Sequence, residues 1–225
     1  MQYVAEHEVL DVAGRIITIA QQKGGAGKTT LSAHLAVAWS KRRNTSVAIL
    51  DTDPQGSLGQ WFEARETALG DEKTGLVFKT ASGWGARREA RYLARDFDVV
   101  VVDTPPKADT DAKPAIEAAD HIVVAIQPSP IDLWATKSTL ELADGEKTPV
   151  TIVLNRVPPR AALTAEMISA MTEYGKRIAK TQVGNRVAFA ATMRHGLTVL
   201  EVGRANKAAD EIAALAKELW KVPKS

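Results

Sequence analysis

Short, largely apolar runs alternate along the chain with longer stretches in which apolar residues recur every three or four positions. The short runs are Arg15 to Ala20, Ser46 to Leu50, Gly75 to Ala81, Val99 to Val102, His121 to Ile126 and Pro149 to Leu154. Their brevity and β-branched content predict strands buried between two layers. Helical spacing predicts a helix from Lys28 to about Arg43 and a second through Leu58, Trp61 and Phe62. Others follow over the arginine-studded stretch of Arg87, Arg88, Arg91 and Arg95, from Ala112 to Ala119, and from Asp132 to about Ala143. The last two run through Leu163, Met167, Ile168 and Met171, and from about Lys207 to Trp220. A short strand near Val187 to Ala190 and a loop at Met193 to Gly196 precede that final helix. Strands alternating with helices imply right-handed crossovers. The expected fold class is therefore α/β, doubly wound, with a mainly parallel sheet and helices on both faces. Residues 1–14 alternate weakly and read as an N-terminal arm or edge strand. Residues 15–225 carry no repeat, low-complexity tract or linker and read as one domain.

In such a sheet ligands bind at the carboxyl ends of the strands. The first strand runs into Gln21 to Gly27, a glycine-rich turn, and Lys28 opens the helix behind it. A strand, a glycine turn and a helix N-terminus together make an anion site. Backbone N–H groups converge, the helix dipole favours negative charge, and glycines admit close approach. Lys28 is placed to reach the β- and γ-phosphates of a nucleotide, and the Thr29 hydroxyl to reach Mg²⁺. The standard P-loop expression asks for glycine where Gln22 stands, so it fails at its first position. Asp103 closes Val99 to Val102 and takes the position of a Walker B acid, which holds the magnesium shell; the competing reading is a surface carboxylate after a buried strand. Asp51 and Asp53, two apart after the second strand, also suit a turn with an Asx cap. Asn155, at the end of a later strand, suits a plain turn cap.

The stretch Lys23-Gly24-Gly25-Ala26-Gly27-Lys28-Thr29-Thr30 carries a second lysine before its glycines. It resembles the deviant P-loop of the ParA/MinD family of dimerising ATPases. Asp51-Thr52-Asp53-Pro54-Gln55 and Val101 to Pro106 resemble that family's two switches, and the likeness runs from Arg15 to about Leu219. The resemblance implies an ATPase that uses ATP and Mg²⁺, with Lys23 to Thr30 cradling the nucleotide. Lys23 would reach the partner protomer's phosphates across a sandwich homodimer. Asp53 would orient the attacking water, Asp51 would help secure the magnesium side, and Asn155 would meet the adenine amino group. Length and tail look closest to the short ParA type. That type binds DNA without sequence preference and hydrolyses ATP slowly until a ParB-like or adaptor protein stimulates it, so segregating or positioning a plasmid, chromosome locus or protein cluster.

Charge bears on the partner. The net charge is only +2, yet residues 151–225 hold 12 Lys/Arg against 6 Asp/Glu, while residues 1–150 hold 17 against 21. A basic C-terminal third attracts nucleic acid or an acidic membrane surface, or is simply a solvated face. Arg194 foremost, with Arg186, Arg204 and Lys207, forms the expected DNA-facing set. A MinD-like membrane-cycling ATPase is the rival reading, but Ile212, Leu215 and Leu219 read as core packing rather than a lipid anchor. A small-molecule-phosphorylating relative on the same fold is a second rival, though no residues mark its substrate pocket. The absence of cysteine excludes an iron-sulfur relative and fits a reducing compartment. No signal-peptide order appears at the N-terminus, and no apolar stretch approaches the roughly 20 residues of a membrane span. The expected localisation is cytoplasmic and nucleoid-associated.

Overall fold

A computed structural model describes residues 14–106, 112–159, 166, 169, 171–203 and 206–224. Six parallel strands form one sheet in the order β3-β2-β4-β1-β5-β6. They are β1 (Arg15–Ala20), β2 (Val47–Asp51), β3 (Val77–Thr80), β4 (Val99–Asp103), β5 (His121–Ile126) and β6 (Val150–Leu154). The helices are α1 (Lys28–Ser40), α2 (Ser57–Leu69), α3 (Ala86–Asp96), α4 (Lys113–Glu117), α5 (Pro130–Gly145), α6 (Val187–Met193) and α7 (Lys207–Trp220).

Strand alternation divides the core. Val99 and Val101 of β4 join Ile17, Ile19 and Ile49 on one face, packed under Leu31, Leu35 and Trp39 of α1 and Ile212, Leu215 and Leu219 of α7. Val100 and Val102 point the other way, with Leu50 and Ile16, against Ala90 and Leu93 of α3. Ile122, Val124 and Ile152 continue that second face under Ile116 and Leu140. With both faces covered, continuous valine runs are the stable choice. Ile212, Leu215 and Leu219 are wholly buried, and the Trp39 indole N–H donates to the Ala216 carbonyl at 3.2 Å. The apolar stripe of the tail is thus core, and among the described residues no helix is long and apolar enough to cross a membrane.

One expected element is corrected. Val187 to Ala190 do not form a strand; they begin α6, which enters from extended Arg186 and buries Phe189 and Thr192. Among the described residues beyond β6 the sheet receives only single bridges, Ile152 to Ile178 and Val157 to Gly184. The chain leaves the sheet edge before Val187, and the alanines at 188, 190 and 191 favour helix once no ladder is available. The expected helix through Leu163, Met167 and Ile168 lies outside the described residues, as do residues 1–13 and Arg204.

The segment Arg194 to Glu201 is clasped from two sides. Arg65 of α2, almost fully buried, donates from Nη2 and Nη1 to the two Glu201 carboxylate oxygens at 2.7 and 3.0 Å. It also donates to the carbonyls of Thr74 and Gly196. From α1, His34 gives its Nδ1 proton to the Thr30 carbonyl and accepts the Val199 N–H on Nε2. Gly196, at φ 68°, lies so close that a Cβ there would stand 2.1 Å from the Arg65 backbone nitrogen.

Candidate nucleotide site

The carboxyl ends of β1, β2 and β4 converge beneath the glycine turn. Gly27 caps α1 at φ 89°, and a Cβ on it would fall 2.4 Å from Asn155 Nδ2. Glycine is therefore required by both conformation and space. Neither an acidic residue in the first turn nor a side-chain cap occupies the α1 N-terminus, so its N–H groups face the cavity. Lys28 is nearly buried, and burial lowers its pKa against the opposing pull of Asp103 and Asp53.

Asp103 is buried directly behind Thr29. Its Oδ2 accepts the Thr29 hydroxyl at 2.7 Å and its Oδ1 accepts the Ser32 hydroxyl at 2.9 Å. Burial pushes its carboxyl up to about 7, with Asp51 adding to the rise and the two hydroxyls and Lys28 opposing it. A carboxylate so desolvated is stabilised by added positive charge. Asp51 lies beside Asp103 in the β2–β4 register. Both its oxygens are taken by backbone, Oδ1 by the Asp53 N–H at 3.0 Å and Oδ2 by the Gly59 N–H at 3.2 Å. Asp51 thus braces the turn into α2, as the Asx reading of the pair expects. Asp53 is half-buried, accepts the Gln55 N–H at 2.9 Å, and lines the same cavity as Lys28 and Thr29.

That cavity, about 750 Å³, extends from Gly24 to Thr30 across to Asn155, Arg156 and the stretch from Val183 to Met193. Its volume suits a nucleotide-sized ligand. Asn155 is at its wall, but its amide Nδ2 donates to the Ala26 carbonyl at 2.8 Å. That bond steadies the loop. The α6 wall had no legible marker, since α6 itself reads as a strand in sequence.

Lys23 has a partner that sequence spacing could not supply. Its ammonium lies 2.6 Å from Oδ2 of Asp132, a fully buried carboxylate in the first turn of α5 that also accepts the Ser129 hydroxyl. Of the expected DNA-facing residues, Arg194 and Lys207 are exposed, at the end of α6 and the start of α7. Arg186 differs: its guanidinium forms a two-point pair with Glu211 at 2.5 and 2.9 Å. Its charge is already matched, which removes it from a free basic stripe.

The comparisons agree with this geometry. The CobQ/CobB/MinD/ParA nucleotide binding domain matches residues 17–199. A protein of Halothiobacillus neapolitanus named maintenance of carboxysome distribution protein A is 30% identical over 218 residues, covering 90% of this chain and 95% of that one. Among solved structures, an ATP complex of McdA from Cyanothece superposes with a TM-score of 0.76 at 18% identity, covering 95% of this chain and 98% of that one. The cell division protein MinD of Aquifex aeolicus superposes at 0.75 with 16% identity, covering 94% and 100%. With the P-loop, the acid behind it and the all-parallel sheet in place, the chain belongs to the CobQ/CobB/MinD/ParA family of nucleotide-binding domains, on its ParA-like side.

Proposed function

We propose that the chain is a Mg²⁺-dependent, ATP-hydrolysing positioning protein that dimerises on ATP, binds DNA without sequence preference and is released by partner-stimulated hydrolysis. The observation that carries this reading is the triplet of Lys28, Thr29 and Asp103 at a glycine turn that carries a second lysine, Lys23. The donor set fits magnesium. Among the described residues no group of three His, Asp or Glu side chains could hold a metal alone. A hydroxyl backed by one buried carboxylate is the kind of incomplete oxygen set that a nucleotide's phosphates finish. Mg²⁺ would supply charge neutralisation at the transferring phosphoryl group. Lys28 holds the phosphates, Thr29 and Asp103 hold the ion's shell, and Asp53 orients water from the cavity wall. Lys23 reaches the phosphates of the second protomer, and Arg194 and Lys207 meet DNA phosphates.

The relative of Halothiobacillus neapolitanus is named for carboxysome distribution and matches over nearly its whole length. That favours a protein cluster as cargo over a plasmid. The test is retention on mixed-sequence duplex DNA with ATP, read beside turnover. Lys28→Ala should lose both. Asp53→Ala should keep ATP-dependent retention while turnover falls by ~10²–10⁴. Arg194→Glu should still dimerise but bind DNA with a salt dependence weaker by about one unit of slope per lost contact, about two for the dimer. ATP-independent retention, or wild-type turnover in Asp53→Ala, would remove the proposed cycle.

A further inference from the structure

The outer face of α3 is unlike the rest of the surface. Its buried positions are Ala86, Ala90, Leu93 and Ala94. At about 100° per residue, the opposite arc centres on Arg88, Arg91, Tyr92 and Arg95, with Asp96 toward its edge and Arg87 and Glu89 on the two flanks. Arg87, Arg88, Arg91, Tyr92 and Arg95 are exposed, as is Asp96 beyond the last arginine, whereas Glu89 is half-buried. Just before the helix, the tight turn Gly83–Gly85 holds up Trp84, which is 82% exposed, beside Tyr92 at 58%. Together Trp84, Tyr92 and the four arginines line a shallow groove of about 440 Å³. Arg87 leans on Glu117 at 3.4 Å. Among the described residues no carboxylate holds Arg88, Arg91 or Arg95.

A solvated helix face normally mixes both signs and draws on lysine as readily as arginine. Here every cation is arginine, every neighbour is Trp or Tyr, and the acids are displaced to the edge. Arg, Trp and Tyr are the side chains that dominate protein–protein binding energy, and lysine is depleted there. Arginine forks match carboxylates in two-point geometry. We infer that the outer face of α3 docks an acidic segment of a partner protein, with carboxylates on Arg88, Arg91 and Arg95 and an apolar side chain against Trp84 and Tyr92. Duplex DNA would satisfy the arginines but hides its bases, so it leaves the indole uncovered.

The surface is distinct from the nucleotide cavity yet joined to it by one strand. Ala81, three residues before Trp84, donates its N–H to the Asp51 carbonyl at 3.1 Å. A partner seated on Trp84 therefore bears on the turn that carries Asp53.

The experiment selects random linear peptides displayed on phage against the full chain. Binding of the selected peptides is then measured by fluorescence anisotropy, beside a short mixed-sequence DNA duplex. Selected sequences should combine several Asp/Glu with a Leu, Phe or Trp. Arg88→Glu, Arg91→Glu and Trp84→Ala should each weaken them by on the order of tenfold or more, with melting temperature and nucleotide binding unchanged. Conservative Arg91→Lys should recover part of the affinity. The proposal is overturned if selection shows no acidic enrichment or if the selected peptides bind the variants as well as wild type. Loss of duplex binding in the α3 variants with peptide binding intact would equally overturn it, because the face would then belong to nucleic acid.

Discussion

In the proposed sandwich dimer Lys23 has to leave Asp132 of its own chain to reach a phosphate of the other protomer. Asp132→Asn isolates that competition, because the amide keeps the size of the carboxylate and an oxygen for Ser129 but drops the charge 2.6 Å from the Lys23 ammonium. Breaking a fully buried ion pair costs about 3–5 kcal/mol, whereas a fully exposed pair is worth about 0–1 kcal/mol. Asp132 is wholly buried, but the Lys23 side chain is 35% exposed and can recover solvation. The pair therefore contributes about 1 kcal/mol, near the exposed limit. The variant monomer should melt about 2–4 °C lower. Each protomer of a sandwich dimer must release one such pair, so removing both should favour ATP-dependent dimerisation by about 2 kcal/mol, roughly thirtyfold in dissociation constant. Sedimentation equilibrium with a non-hydrolysable ATP analogue measures this directly. A dimer of unchanged or weaker affinity, with the stability loss confirmed, would refute the idea that Asp132 restrains Lys23.

Two further outcomes follow from the packing and the buried histidines. Gly196→Ala would put a Cβ against the Arg65 backbone at a positive φ, costing about 3 kcal/mol or more and lowering the melting temperature by roughly 6–12 °C; Ala at 203, which has open space, serves as the control. Burial depresses His34 to about 4, against the opposing Thr30 carbonyl and Glu201. Burial and then the Arg15 charge depress His121 to about 3. Between about pH 6.5 and 4 the unfolded histidines bind protons that the fold refuses, so each should subtract about 1.4 kcal/mol of stability per pH unit as pH falls through that window. The raised Asp103 carboxyl, protonated first in the fold, offsets about as much as one of them. Urea titrations across that range should show a shallower decline in His121→Gln, and an unaltered slope would contradict the assignment.

The strands, the P-loop and the acid behind it were legible because each is a local pattern. Valine runs bury on both faces, a glycine turn followed by Lys-Thr makes an anion site, and an acid after a buried strand emerges at its carboxyl end. The final helix was equally plain, from Lys207 to Trp220, because its 3.6-residue stripe is long and uninterrupted. Val187 to Met193 misled because a seven-residue alanine-rich segment has no decisive period, and whether it pairs depends on how the sheet ends at β6. Partner choice was likewise invisible. Arg186 and Glu211 are 25 positions apart, Lys23 and Asp132 109, and Arg65 and Glu201 136. Sequence by itself determined which side chains exist to bind phosphate, but only the tertiary structure decided which charges remain free. Those pairings arise between elements brought together by the sheet, and distance in the fold sets electrostatic strength.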